Sequence, residues 1–240
     1  RVGMVSADFR AHSVAHFLQP LLPGLAQHPQ LVLYGYYNHP VSDDVTAQIR
    51  GHFAHWQDVA AWSDEALAAA IREDGIDILI DLSGHTAGNR LLTFARKPAP
   101  VQLSWLGYLN TTGLSTMDYY LADAALLPPG VLDHQFTEKL VQLPVNAPFM
   151  PAAGLPDLQP LPALNNGYLT FGCFNRPNKI TQATVQLWAQ LMQAVPDSRM
   201  VVGGMAESHE HAHLSSWFDA AGIAPDRLTF VARAEMTVYL

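Results

Sequence analysis

Short apolar runs that end in small polar residues recur along this chain, each separated from the next by a stretch with helical spacing. That alternation is the signature of a parallel sheet with crossover helices, so the expected fold class is α/β. The clearest unit begins with a helix over residues 64–74, capped by Ser63 or Asp64 and stopped by Gly75. Ile-Asp-Ile-Leu-Ile-Asp-Leu follows at 76–82 and reads as the best strand in the chain.

The same reading extends in both directions. Residues 2–6 form a strand, and a helix is expected over 13–26 with Val14, Phe17, Leu18, Leu21 and Leu22 on its apolar face. A strand at 31–37 and a helix at 44–51 precede the central unit, and a helix at 89–95 follows it. Strands are expected at 101–105, 119–122 and 140–142. The first domain is thus placed at 1–145, and a linker at 146–166, where Pro148, Pro151, Pro156, Pro160 and Pro162 cluster. A second α/β domain is placed at 167–240: strand 168–173, helix 181–194, strand 199–203, helix 207–221 and strand 228–231. At about 75 residues it is short of a typical domain, and its sheet is expected to lack partner strands. The chain enters a strand at once and stops in what reads as the opening turns of a helix, so it is expected to be a piece of a longer protein.

Composition narrows the function classes. Net charge is −8 and only 13 Lys and Arg are present, scattered along the chain, which argues against a nucleic-acid partner. No apolar run approaches the roughly 18 residues of a membrane span, so no membrane association is expected. The one cysteine, Cys173, lies between phenylalanines near the end of a strand and reads as a buried structural thiol in a reducing, cytoplasmic setting. The first strand leads into Ser6-Ala7-Asp8-Phe9-Arg10-Ala11-His12 without the G-x-G-x-x-G of a dinucleotide site, which disfavours a dehydrogenase. Two α/β units joined by a proline-rich linker instead suggest an enzyme that holds its ligand between two Rossmann-like sheets.

Ligands of open α/β sheets bind beyond the carboxyl ends of the strands. Three such ends carry small polar loops. After the strand at 101–105 come Leu106-Gly107-Tyr108 and Asn110-Thr111-Thr112-Gly113, with glycines for close backbone approach and hydroxyls suited to a sugar or phosphate. After the strand at 76–82 come Ser83-Gly84-His85-Thr86-Ala87-Gly88. After the first strand come Asp8, His12 and His16, the two histidines one helical turn apart near a helix N-terminus, where an imidazole can act as base or bind a hydroxyl. Each loop alone is also compatible with ordinary turn chemistry. In the second unit, Asn175-Arg176-Pro177-Asn178-Lys179 follows the strand at 168–173, and Lys179 is placed to neutralise a diphosphate leaving group. His209-Glu210-His211-Ala212-His213 matches H-E-x-x-H but has no evident third ligand, and no metal site is expected.

These strings, in this order, resemble the catalytic region of the O-GlcNAc transferase/SPINDLY family. The resemblance rests on Val2-Gly3-x-Val5-Ser6-x-Asp8-Phe9-x-x-His12-x-x-x-His16, Asp74-Gly75-Ile76-Asp77-Ile78-Leu79, Gly84-His85-Thr86, Pro98-Ala99-Pro100-Val101-Gln102, Trp105-x-Gly107-Tyr108, Thr111-Thr112-Gly113 and Phe174-Asn175-x-x-x-Lys179-Ile180. It spans nearly the whole chain, and its spellings look closer to SPINDLY and bacterial members than to the animal enzyme. It implies a GT-B glycosyltransferase, metal-independent and without a cofactor, usually downstream of tetratricopeptide repeats. Such an enzyme transfers one sugar with inversion from UDP-GlcNAc, or from GDP-fucose in the SPINDLY lineage, to Ser or Thr of protein acceptors. The resemblance gives Lys179 the donor diphosphate and makes His12 a catalytic residue near donor sugar and acceptor. It places Leu106 and Gly107 in the sugar pocket. His16, His85, Thr86, Tyr108, Thr111, Thr112, Asn175 and Arg176 are the further substrate-binding candidates. Arg176 stands where the animal enzyme has a donor-contacting glutamine, and Leu109 replaces a common proline. The chain alone is expected to be inactive. A non-catalytic interaction module of the same fold and a zinc hydrolase are the competing expectations.

Overall fold

The computed structural model describes residues 1–149, 156–205, 208–232 and 234, with the side chains of 208–210 outside that set. The chain divides into two compact units, Arg1–Met150 and Pro151–Leu240.

The first unit is a seven-stranded parallel sheet. Its strands are β1 (Val2–Ser6), β2 (Leu33–Tyr37), β3 (His55–Asp58), β4 (Ile78–Asp81), β5 (Val101–Ser104), β6 (Tyr119–Asp123) and β7 (Lys139–Leu143). The spatial order is β3-β2-β1-β4-β5-β6-β7, and every neighbouring pair is parallel. β1 and β2 lie inside and are buried at every position, whereas β3 at one edge is polar and largely accessible.

Alternation along the strands sends side chains to two apolar layers. Met4, Leu33, Tyr37, Ile78 and Ile80 join one layer with Phe9, Val14, Leu18 and Ile49. Val5, Tyr34, Tyr36 and Leu79 join the other with Leu67, Ile71 and Phe94. The first layer is closed by helices α1 (Ser13–Leu18), α2 (Leu22–Gln27) and α3 (Asp44–Arg50). The second is closed by α4 (Asp64–Glu73) and α5 (Leu91–Ala95). α4 starts as its sequence implies: the Ser63 hydroxyl accepts from the Ala66 N–H at 3.2 Å, and Gly75 follows the last turn at φ 62°.

Two elements of the first unit differ from the expectation. The single helix expected over 13–26 is two short helices, because Pro20 has no N–H to donate and its ring would crowd the preceding turn. The chain restarts as a helix at Leu22, where Pro23 occupies a first-turn position that needs no N–H. Strand β3 is an addition: His-Trp-Gln-Asp has no apolar alternation, and it pairs through its backbone alongside Tyr34–Tyr37.

In the second unit β8 (Thr170–Cys173), β9 (Arg199–Gly203) and β10 (Leu228–Val231) form a parallel sheet in the order β10-β9-β8. Residues 162–166 of the expected linker form the short helix α6 (Pro162–Asn166), ended by Gly167 at φ 74°. Helices α7 (Gln182–Ala194) and α8 (Ser208–Ala220) supply Val185, Ala189, Met192, Leu214 and Phe218 to a core that also holds Cys173, Met200 and Val202. Cys173 is buried and free, as its flanks imply. Arg227 bolts this unit together by donating to the carbonyls of Ser198 and Met192, both at 2.8 Å. The expected helical turns at 235–240 lie outside the described residues. No described helix is long and apolar enough to cross a membrane.

Candidate active site

The chain runs from β1 outward to β3 and then returns to the other side of β1 with β4, so the strand order reverses between β1 and β4. In open α/β sheets ligands bind at the carboxyl edge where such a reversal falls. Since β5 lies beside β4, the loops after β1, β4 and β5 occupy three successive strand ends, as expected of the three polar loops.

The β4 and β5 loops interlock through their glycines. A Cβ on Gly107 would stand 1.9 Å from the Leu82 carbonyl oxygen, and one on Gly84 would stand 2.4 Å from the Tyr108 Cβ. The close approach expected at Gly107 is therefore made to Leu82, backbone to backbone. Between them the Gly107 N–H closes back on the Trp105 carbonyl at 2.9 Å around Leu106, which has φ 73°. This is the strained form of a three-residue turn, costing about 1–3 kcal/mol in a non-glycine residue. It persists because both flanks are tied down: the Leu106 side chain is 9% exposed in the core, and Trp105 Nε1 donates to the Asn146 carbonyl at 2.9 Å.

Beneath the loops lies Asp81, at 1% exposure. Its carboxylate accepts from the N–H groups of Ser83 (3.0 Å) and Gly84 (2.9 Å) and from the Ser104 hydroxyl (2.8 Å). Burial pushes the Asp81 carboxyl above its ordinary value, against the pull of those donors from Ser104, Ser83 and Gly84. A second organiser is Arg90. Its guanidinium donates to Asn38 Oδ1 (2.8 Å) and to the carbonyls of Val59 and Trp62 (both 2.9 Å), while Asn38 Nδ2 donates to the Gly88 carbonyl at 2.7 Å. The loops after β2, β3 and β4 are thereby pinned to one cation.

The β1 loop is held by Asp43, which accepts from the Ala11 N–H at 2.7 Å and also caps α3. His12 caps α1, its Nδ1 accepting from the Val14 N–H at 3.3 Å. The same Nδ1 stands 3.5 Å from Asp8, which is 6% exposed. One nitrogen cannot serve both partners. As a cap it uses its lone pair and leaves the proton on Nε2; a proton on Nδ1 faces Asp8 and frees Nε2 as a base. His16 is exposed one turn on, stacked at 6.4 Å against Phe149.

In the β5 loop the hydroxyls of Thr111 and Thr112 both donate to Glu138, Thr111 at 2.7 Å, and the Thr112 N–H joins them at 2.7 Å. Glu138 is 4% exposed. Burial raises its carboxyl, but the hydrogen bonds from Thr112 and Thr111 outweigh that and leave it below the ordinary value. His85 reaches across from the β4 loop, its Nε2 3.0 Å from the Thr112 carbonyl and its ring edge-on to Tyr108 at 5.4 Å. Thr86 is turned inward, donating to the Ser83 carbonyl at 2.7 Å. His85 and Tyr108 are thus the exposed side chains of these two loops that the structure brings together, whereas both threonine hydroxyls of the β5 loop are already engaged. Asp81, Arg90 and Glu138 are site-building residues that the sequence reading did not single out.

In the second unit Asn175, Arg176 and Lys179 are all exposed at the carboxyl end of β8. Lys179 closes a single turn (Pro177–Lys179) ahead of α7, between buried Ile180 and the preceding prolyl turn, and pairs with no carboxylate among the described residues. The Thr181 hydroxyl caps α7 by accepting from the Thr184 N–H at 3.2 Å. The side chains of His209 and Glu210, and with them the H-E-x-x-H pattern, lie outside the described residues.

The sequence profile of glycosyl transferase family 41 matches residues 1–150, the unit that carries these three loops. The chain belongs to glycosyl transferase family 41. Among its relatives is the probable UDP-N-acetylglucosamine–peptide N-acetylglucosaminyltransferase SPINDLY of Arabidopsis thaliana, 41% identical over 207 residues that cover 84% of this chain and 22% of that protein. A second Arabidopsis family member of that activity name, SEC, is 30% identical over 96% of this chain and 24% of its own length. A solved structure of an O-GlcNAc transferase mutant from Thermobaculum terrenum covers the whole of this chain and 45% of that one, with TM-score 0.89 and 37% identity. The family-41 chain is therefore α/β of GT-B type, and it spans about a fifth of the length of the curated relatives it matches.

Proposed function

We propose that the full-length protein transfers N-acetylglucosamine from UDP-N-acetylglucosamine to Ser or Thr hydroxyls of protein acceptors, with inversion and without a metal or other cofactor. The observation that carries this reading is that the family-41 match lies on the unit whose β1, β4 and β5 ends gather interlocked polar loops at the reversal of strand order. The names of the SPINDLY and SEC relatives support the donor and a peptide acceptor.

In this reading the acceptor oxygen attacks the anomeric carbon as the bond to the diphosphate breaks. The acceptor proton passes to a base, and the nucleoside diphosphate leaves with the bonding pair. Lys179, exposed and paired with no carboxylate among the described residues, supplies the positive charge the departing diphosphate needs, a role otherwise filled by a metal. His12 is the candidate base: with its Nδ1 proton turned to Asp8, Nε2 presents a lone pair. Leu106, Gly107 and Tyr108 line the sugar, with His16, His85, Thr86, Thr111 and Thr112 forming or supporting its surroundings, and Asn175 and Arg176 join Lys179 in contacting the nucleotide. The buried, free Cys173 suits a cytoplasmic setting.

The alternative donor is GDP-fucose, which the resemblance to the SPINDLY lineage implies; Arg176, where the animal enzyme carries a glutamine, changes the contacts offered to base or phosphate without choosing between the two nucleotides. The deciding experiment offers the full-length protein each radiolabelled sugar nucleotide with a broad acceptor mixture. Label from UDP-GlcNAc on protein is the expected result; label from GDP-fucose alone transfers the assignment to fucose, and label from neither removes the transferase reading.

A further inference from the structure

Glu138 precedes β7 and is a buried carboxylate with no Lys or Arg paired to it among the described residues. An uncompensated buried charge is costly, so its hydrogen bonds define its role. All of its side-chain partners in the first unit lie in one place. Oε1 accepts from the Thr112 N–H at 2.7 Å and from the Thr112 hydroxyl, and Oε2 accepts from the Thr111 hydroxyl at 2.7 Å. The Thr111 oxygen in turn accepts from the N–H groups of Gly113 (3.0 Å) and Thr137 (3.2 Å). Residues 111–113 are therefore clamped to the start of β7.

The clamp has one outlet. The carbonyl of Thr112, the residue whose N–H and hydroxyl are held by Glu138, stands 3.0 Å from His85 Nε2. A carbonyl only accepts, so Nε2 carries the proton and the lone pair of the neutral ring is on Nδ1. Nδ1 has no partner among the described residues, and His85 is exposed beside Tyr108.

We propose that Glu138 is a positioning residue that acts through Thr112 to fix His85 in the Nε2–H form, so that Nδ1 accepts a hydrogen bond from a substrate hydroxyl. This rests on the sugar-transfer reading for the identity of the hydroxyl, which belongs either to the donor sugar or to the acceptor side chain. The Glu138–Thr112–His85 link itself does not depend on that reading.

Two measurements test it. In this chain labelled with ¹⁵N-histidine, long-range ¹H–¹⁵N spectra report the tautomer of His85, assigned by its loss in His85→Gln. Wild type is expected to show protonated Nε2 and unprotonated Nδ1. Glu138→Gln, or the milder Thr112→Val if the former folds poorly, is expected to give a mixture of tautomers. A protonated Nδ1 in wild type, or an unchanged tautomer in both variants, overturns the proposal. In the full-length protein, Glu138→Gln is expected to raise KM about fivefold for whichever substrate carries the hydroxyl, with kcat changed less than about twofold. In a His85→Ala background the same substitution should change KM by less than about twofold, because interacting residues are not additive. A KM rise for the sugar nucleotide assigns the hydroxyl to the donor, and a rise for the acceptor peptide assigns it to the acceptor. Full additivity of the two substitutions overturns the link. Absence of transfer by wild type sinks the transferase reading and leaves the tautomer spectra to decide the link.

Discussion

A methyl group at Gly107 would collide with the Leu82 carbonyl at 1.9 Å, and backbone cannot swing aside as a side chain can. Gly107→Ala is therefore expected to destabilise the first unit by about 1–3 kcal/mol and to separate the β4 and β5 loops. A thermal melt of this chain checks it, and an unchanged midpoint contradicts the interlock. Glu138 gives a prediction with a defined sign. Its folded value lies below the ordinary 4.5, so the stability it contributes is fully present above 4.5 and is lost as pH falls through the lower folded value. The difference in melting temperature between wild type and Glu138→Gln should be largest near neutral pH and close up below 4.5. A gap that stays constant into acid would mean the carboxylate is not the stabilising form. At this scale the sequence exposes Gly107, Thr111 and Thr112 as a loop but not what the hydroxyls bind. Glu138 is 26 residues from Thr112 and reads locally as one more charged residue before an edge-ward strand, so only the fold brings the two together.

Elements repeat that lesson in a different form. Strands β1, β4 and β9 are legible because each carries an unbroken apolar run, at 2–5, 78–80 and 200–202, as inner strands of parallel sheets do. β3 is not, because an edge strand pairs through its backbone and its side chains are free to be polar. One packing signal is a pair: Trp56 lies over Gly35 of β2, where a Cβ would stand 2.5 Å from the indole. Gly35→Ala is expected to displace that indole and weaken the β2–β3 edge, seen as a shift of tryptophan emission with a lowered melting temperature. Retention of both would remove this explanation for the glycine. The division of the first helix is legible after the fact in Pro20 and Pro23, since apolar spacing over 13–26 continues across the break while the backbone cannot.

For the whole molecule, the α/β class and the gathering of three loops at one sheet edge follow from the alternation of runs and from where their polar ends fall. The order β3-β2-β1-β4-β5-β6-β7 does not, because periodicity within a strand carries no information on its neighbours. Family 41 membership joins the two levels by giving the edge a chemistry, and the proposed chemistry makes a demand on residues far apart in the chain. If Asp8 turns His12 toward its basic form, Asp8→Asn should lower kcat more than it raises KM, and equal KM and unchanged kcat would relieve His12 of that role. The most direct test of the account is the rate of sugar transfer by the full-length protein with Lys179 intact and with Lys179→Ala. Lys179→Ala is expected to lower kcat by about a hundredfold or more, the scale of removing one group that stabilises transition-state charge, with little change in acceptor KM. Transfer that proceeds at the wild-type rate without the Lys179 ammonium would contradict it.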